Sequence, residues 1–115
     1  MAVKPITLTD KTDNTTYTLE FNRASVEFAE QRGFKIEDVA YYPMTKLPEL
    51  FFYAFRMHHK NVAREKTDKI LFSLGGIPEG MVDRLADLYQ LPFDALSVVD
   101  EDTEERKNSN WKVEF

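Results

Sequence analysis

Cysteine is absent from this chain of 115 residues. Without a thiol, disulfide bonds, thiolate metal sites and cysteine nucleophiles are all excluded, and a reducing compartment is favoured. Long apolar runs are also missing, since no stretch approaches the roughly 20 residues that a transmembrane helix requires. The first residues lack a basic segment followed by an apolar stretch, so no signal peptide is expected. These absences predict a soluble, intracellular protein with no membrane partner.

Basic residues are not in excess either. The chain has 20 acidic and 15 basic side chains and a net charge of −5. Because sequence-independent nucleic-acid binding depends on clustered Lys and Arg, we expect no nucleic-acid partner. The charges are uneven, with a basic stretch at 56–69 and an acidic run at 100–105. Both can be solvated surfaces, or the acidic run can contact a basic surface on this chain or on a neighbouring copy.

What the N-terminal part does contain is a β-hairpin pattern at 5–21. Apolar and polar residues alternate at 5–9 and again at 16–21, and both stretches are rich in β-branched and aromatic side chains. The polar residues 10–15 between them suit a turn. Two strands alone are marginally stable, so one face of the hairpin must pack on helices or on another sheet.

Helix signals dominate the following residues. Asn22 as N-cap and Gly33 as a stop predict a helix at 23–32, while the segment 34–39 is left open between a further helical turn and a loop. A second helix is expected at about 48–60, with Pro48 in its first turn and Asn61 as a left-handed cap. This aromatic helix is apolar on more than one side, so it needs cover on more than one side.

Two further helices are predicted beyond the aromatic helix. Thr67 is a suitable start for one that ends at Gly75 and Gly76, although direct continuation of the aromatic helix through 62–64 is an alternative. Pro78 and Glu79 open the next helix, which is expected to end at 91–92, with one more turn possible at 93–96.

The predicted fold class is therefore α+β and mostly α-helical. We expect an N-terminal β-hairpin, a compact bundle of about four helices and a short C-terminal extended segment. Residues 1–97 are predicted to form a single compact domain. Residues 98–115 form an acidic tail, whose end at 111–115 alternates apolar and polar residues and is expected to form a short strand or a docking segment.

No enzyme class is supported by the chemically reactive residues. His58 and His59 are adjacent, so on a helix they project about 100° apart and cannot clamp one metal as an i, i+4 pair would. The three glycines at 75–80 match no phosphate-binding pattern. The carboxylates at 79, 83 and 87 share a solvated helix face, and the acidic run at 100–105 lacks the spacing of a calcium loop. We expect a non-enzymatic protein with no cofactor and no metal.

Binding to other proteins is the activity that the sequence favours, because aromatic residues anchor both cores and interfaces. For each candidate contact residue, a place in the core is the open alternative. The candidates lie on the aromatic helix, on the helix after Pro78 and near the C-terminus: Phe51, Phe52, Phe55, Met81, Leu85, Tyr89 and Trp111.

Five segments between residues 15 and 96 carry a family resemblance. They are 17–23 (Tyr-Thr-Leu-Glu-Phe-Asn-Arg), Glu30 with Gly33-Phe34, 48–59 (Pro-Glu-Leu-Phe-Phe-Tyr-Ala-Phe-Arg-Met-His-His), 67–70 (Thr-Asp-Lys-Ile), and Arg84-Leu85 with Leu88-Tyr89. Together they resemble small phage and prophage proteins of Gram-positive bacteria that are similar to the tail assembly chaperones of long-tailed phages.

This resemblance implies binding without catalysis. Such chaperones coat the long, helical tape measure protein before the tail tube polymerises around it, act in several copies in the host cytoplasm, and are absent from the finished virion. In many phages a frameshifted, extended form also engages the tail tube protein. The implied partners are thus a tape measure protein, the tail tube protein for an extended form, and further copies of the chain. The alternatives are a regulatory or adaptor binding protein, and a head–tail connector or tail terminator that stays in the virion.

Overall fold

A computed structural model describes residues 3–96 and residue 114. It contains an antiparallel β-hairpin, formed by β1 (Ile6–Asp10) and β2 (Thr15–Leu19), and five α-helices. The helices are α1 (Arg23–Gln31), α2 (Asp38–Tyr41), α3 (Pro43–Phe55), α4 (Arg64–Leu74) and α5 (Glu79–Leu96). The predicted fold class, a hairpin followed by about four substantial helices, is confirmed. The expected C-terminal extended segment and acidic tail lie outside the described residues.

The hairpin pairs its strands in a register that sends alternate residues to opposite faces. Ile6 lies opposite Leu19, and Leu8 opposite Tyr17. These side chains belong to the core or pack against it, whereas Thr7 and Thr9 on the other face are exposed. Only one face of the hairpin therefore meets the helices.

The turn of the hairpin is held by its own polar side chains. The Asp10 carboxylate accepts hydrogen bonds from the Thr12 amide and hydroxyl at 2.9 and 2.6 Å. These bonds favour the ionised form, so the pKa of Asp10 is lowered. Asn14 takes a left-handed φ of 61°, a conformation that Asn tolerates better than most residues.

Helix α1 begins and ends as predicted. The Asn22 side chain accepts from the Ser25 amide at 2.8 Å, and the Ser25 hydroxyl accepts from the Asn22 amide at 2.9 Å. This reciprocal pair satisfies two backbone donors at the helix start. The undecided segment 34–39 is non-helical at 34–37, and only its last two residues belong to the short helix α2, whose Tyr41 is exposed.

The predicted limits of the aromatic helix were wrong. Helix α3 begins at Pro43, so Pro43 and not Pro48 occupies the first turn. Pro48 has no amide to donate to the carbonyl of Met44, four residues earlier. This loss is tolerated inside the helix because Met44 is exposed to water. The helix ends at Phe55, and Asn61 is no left-handed cap, since Asn14 is the one non-glycine residue with positive φ in the described chain.

The start of α4 differs from the prediction, whereas α5 begins at the predicted Glu79 and includes the further turn at 93–96 that the sequence left open. Helix α4 begins at Arg64 instead of Thr67, whose hydroxyl donates back to the Arg64 carbonyl at 2.9 Å. Ala63 has extended backbone angles, so the alternative of one helix running from α3 into α4 is excluded. Helix α5 continues through Pro92, and its last turn is held by Phe93, whose ring lies 5.7 Å from that of Tyr89.

The core surrounds the second half of α3. Among the described elements, α3 contacts α1, α2, α4, α5 and β2, so a helix that is apolar on several sides is covered on several sides. The buried apolar side chains come from the hairpin and from three helices with their adjoining loops: Leu19, Phe21, Val26, Ala29, Phe34, Leu50, Phe51, Tyr53, Ala54, Phe55, Leu85, Leu88 and Tyr89.

Candidate interaction surface

The two histidines join the hairpin to the end of α3. His59 Nε2 accepts a hydrogen bond from the Thr18 amide at 2.9 Å, and its ring stacks edge to face on Tyr17 at 5.3 Å. The neighbouring His58 contacts the Glu20 carboxylate at 2.8 Å. Both histidines thus have structural partners on β2 or just beyond it.

The bond from Thr18 requires a neutral His59 ring, because the accepting nitrogen must carry no proton. Burial, and then the nearby His58, lower the pKa of His59 below its ordinary value. The structure therefore favours the form of His59 that its hydrogen bond needs.

The acidic side chains form no metal-binding cluster in the described part of the chain. Glu79, Asp83 and Asp87 are exposed on α5, as the sequence predicts. Within residues 3–96 and 114, no group of three His, Asp or Glu side chains could hold a metal ion. The same residues include no helix long and apolar enough to cross a membrane.

Most of the predicted contact residues lie in the core. Phe51 and Phe55 are buried, with ring centroids 5.1 Å apart. Leu85 and Tyr89 are also buried, and burial raises the pKa of Tyr89 to about 12. These four side chains are therefore unavailable as a contact surface in the folded monomer, and the alternative of a core role is the one that the structure shows.

The other three predicted contact residues have different positions. Phe52 is half-buried, with its ring 5.3 Å from that of Tyr53. Met81 is half-buried and packs against the core from α5. Trp111 lies outside the described residues, so its predicted role stays a prediction.

Helix α4 has an apolar surface with little cover. Among the described elements it contacts α3 alone, and Thr67 is its one buried residue. Phe72 is 89% exposed and Leu74 is 47% exposed, while Ile70 and Leu71 are only half-buried. An exposed large aromatic side chain lacks the stabilisation of about 1.5–3 kcal/mol that burial would provide. Exposed apolar surface of this kind is typical of an interaction site.

A groove of about 400 Å³ separates α4 from the hairpin. Its apolar lining comes from Leu8 and Tyr17 on one side and from Ile70 and Leu74 on the other. Three lysines also line it, namely Lys11, Lys66 and Lys69. The Asp10 carboxylate is the one acidic group in this lining. The groove is therefore apolar with a net positive rim, although the chain as a whole is acidic.

A second groove of about 500 Å³ lies on the opposite side of α4. Pro48 of α3 faces Leu71, Phe72 and the glycine pair at 75–76 across it. Arg64 and Asp68, which also line it, form an ion pair at 2.8 Å. The two grooves flank the C-terminal half of α4, and together with that helix we call them the α4 surface.

Sequence reasoning missed the α4 surface. The apolar residues of α4 at 70, 71 and 74 have helical spacing, and nothing in that spacing reveals that only α3, among the described elements, covers them. Phe72 was the available signal, because an aromatic residue next to Leu71 turns about 100° away from it on a helix. A second exposed set, Tyr41, Tyr42 and Met44, falls at the start of α3, where the sequence limits were wrong.

Comparison with known proteins gives one match. A family model described as "Domain of unknown function (DUF5055)" matches residues 1–115. No curated protein matches the chain, and no solved structure does. The description of the family names no activity, so the functional argument depends on the α4 surface itself.

Proposed function

We propose that this chain, which belongs to the DUF5055 family, is a non-enzymatic phage or prophage tail assembly chaperone that binds the tape measure protein through its α4 surface. It acts in the host cytoplasm and leaves before the virion is complete. The observation that carries the proposal is the exposed apolar surface of α4, with Leu74 in one of its two grooves and Phe72 in the other. The resemblance of residues 15–96 to such chaperones supplies the identity of the partner.

The shape of the α4 surface suits an amphipathic helix as a ligand. Helix-in-groove recognition uses apolar anchors at i, i+3, i+4 and i+7, which enter a groove lined by apolar side chains. Each groove beside α4 offers such a lining, to which Leu74 contributes on the hairpin side and Phe72 on the side of Pro48. A tape measure protein is long and helical in this family of assemblies, so several copies of the chain can bind along it and gain avidity.

The charges at the surface support binding more than catalysis. Lys66 and Lys69 keep their ammonium groups in water, and the contact of Lys69 with Glu65 at 3.6 Å joins two highly exposed groups, which stabilises little. These lysines can therefore turn towards acidic residues of a bound helix, which would add orientation to the apolar contact.

The test is co-expression of the chain with a fragment of the tape measure protein encoded beside it. Wild-type chain should keep the fragment in the soluble fraction, whereas Phe72→Glu and Leu74→Glu should lose most of that effect, because a buried unpaired carboxylate opposes binding. Circular dichroism and thermal unfolding should stay close to wild type, since both residues are exposed.

Leu96→Glu is the matched control. Leu96 is an exposed leucine near the end of another helix, away from the α4 surface, and its replacement should leave fragment solubility unchanged. If the α4 variants keep the fragment soluble as well as wild type does, the α4 surface is not the binding site. If the chain is present in purified virions, it is a structural component such as a connector and the chaperone proposal is wrong.

A further inference from the structure

The hairpin has one covered edge and one open edge. On β2, the Thr18 amide points outward to His59 Nε2, and just beyond the strand the Glu20 amide points outward to the Ala54 carbonyl at 3.0 Å. In an antiparallel pair, residues alternate between facing the partner strand and facing away. Because Thr18 faces away, the residues opposite it and opposite Thr16 on β1 face away as well.

Those residues are Thr7 and Thr9, which pair with Thr18 and Thr16. The turn supports the same alternation. The Asp10 carbonyl is directed inward and accepts from the Asn14 amide at 2.7 Å, so the preceding Thr9 faces outward. The outer edge of β1 therefore presents the amides and carbonyls of Thr7 and Thr9. Within the described residues no hydrogen-bond partner lies at this edge, and both side chains are exposed.

An open edge of this kind is a template for another strand. It is short, because Pro5 has no amide to continue the ladder beyond Ile6. No charged residue interrupts it between Ile6 and Thr9, although a charged residue is a common means of protecting such edges. The edge can thus accept one short strand.

We propose that the partner is β1 of a second copy of the chain, paired antiparallel about Leu8. In this register Thr7 of each copy lies opposite Thr9 of the other copy. The amides and carbonyls of Thr7 and Thr9, which are the four outward groups on each strand, then all have hydrogen-bond partners. Leu8 faces Leu8 of the other copy, and Ile6 faces Asp10, so no like charges lie opposite each other.

The partly covered edge of β2 favours closure of this pairing. Head-to-tail addition would need consecutive free groups on the outer edge of β2, where His59 and Ala54 bind the amides of Thr18 and Glu20 and leave only Thr16 between them and the turn. Only β1 offers two successive outward residues without a partner, so the contact is isologous and yields a dimer with a four-stranded sheet instead of a filament. This dimer goes beyond the proposed function, because binding through the α4 surface requires no particular oligomeric state.

The register allows a test by charge on the full-length chain. Thr7→Lys with Thr9→Lys places like charges opposite each other at both cross-strand pairs, and sedimentation velocity should show a monomer where wild type shows a dimer. Thr7→Lys with Thr9→Glu places opposite charges at the same pairs, so this variant should dimerise again. Both variants lose the same hydroxyl contact between Thr9 and Thr16, which makes them matched.

Two proline variants test which edge of the hairpin forms the dimer contact. Thr9→Pro removes an outward amide from β1, and Thr16→Pro removes the corresponding outward amide from β2. Thr9→Pro should weaken dimerisation at least tenfold more than Thr16→Pro does. A wild-type chain that stays monomeric at high concentration overturns the proposal, and so does a dimer that both charge variants leave equally intact.

Discussion

At the scale of single residues, burial separates two groups of aromatic side chains. Phe51 and Phe55 are enclosed and contact each other edge to face at 5.1 Å. Phe72 is exposed to water on α4, a helix that is much more polar than α3. Because burial, and not residue type, determines what a phenylalanine contributes to stability, the two groups should respond differently to the same substitution.

Phe51→Ala should lower the free energy of unfolding by about 3–5 kcal/mol, because it removes a fully buried ring and leaves a cavity. Phe72→Ala should change it by no more than about 0.5 kcal/mol, because an exposed side chain makes few contacts. Urea unfolding followed by circular dichroism measures both. A large loss with Phe72→Ala would mean that Phe72 is covered in solution, which the structure does not show.

At the scale of elements, the ends of helices depend on backbone conformation. Helix α4 ends at Gly75, whose φ of 78° lies in the left-handed region, and its amide bonds the carbonyls of the preceding turn. Gly80 lies in the first turn of α5 with no positive φ. A Cβ at either position would meet nothing within 4 Å, so only the backbone distinguishes the two glycines.

Gly75→Ala should therefore lower the free energy of unfolding by about 1 kcal/mol, because alanine is strained at positive φ. Gly80→Ala should raise it by about 0.5 kcal/mol, because it reduces the entropy of the unfolded chain at a helical position. The pair serves as its own control in thermal unfolding. Equal effects of the same sign would contradict the assigned end of α4.

The sequence located elements better than it located their limits. The hairpin and α1 were predictable because alternation and the Asn22 cap are local signals. The start of α3 was not, since Pro48 suits a first turn equally well until the exposed position of Met44 is known. The end of α5 was left open between Pro92 and one further turn, and the structure shows the further turn, in which the Phe93 ring lies 5.7 Å from that of Tyr89.

At the scale of the whole molecule, the hairpin is held to the helices along β2. The Thr18 bond to His59 and the Glu20 bond to Ala54 connect this edge to the end of α3. Since the pKa of His59 is lowered in the folded chain, the neutral ring contributes stability that is fully present above its ordinary pKa of 6.5. That contribution is lost as the pH falls from there through the lowered value.

His59→Gln should reduce this loss, because glutamine offers a hydrogen-bond acceptor that does not titrate in this range. Urea unfolding at pH 7 and pH 5 should show a smaller difference for His59→Gln than for wild type. His58→Gln is the control, and the acid-dependent loss should persist in it because burial is the main cause of the lowered pKa. If His59→Gln keeps the full wild-type difference, the titrating group lies elsewhere.

By itself, the sequence determined the fold class, the hairpin, the capped first helix and the lack of a recognisable catalytic pattern, because alternation, capping residues and missing residue types are local properties. The tertiary structure decided which apolar surface is left over. It placed Phe51, Phe55, Leu85 and Tyr89 in the core and left much of the apolar surface of α4 and the outer edge of β1 open. The physical reason is that exposure depends on which elements cover a surface, and periodicity shows that a face needs cover without showing what provides it.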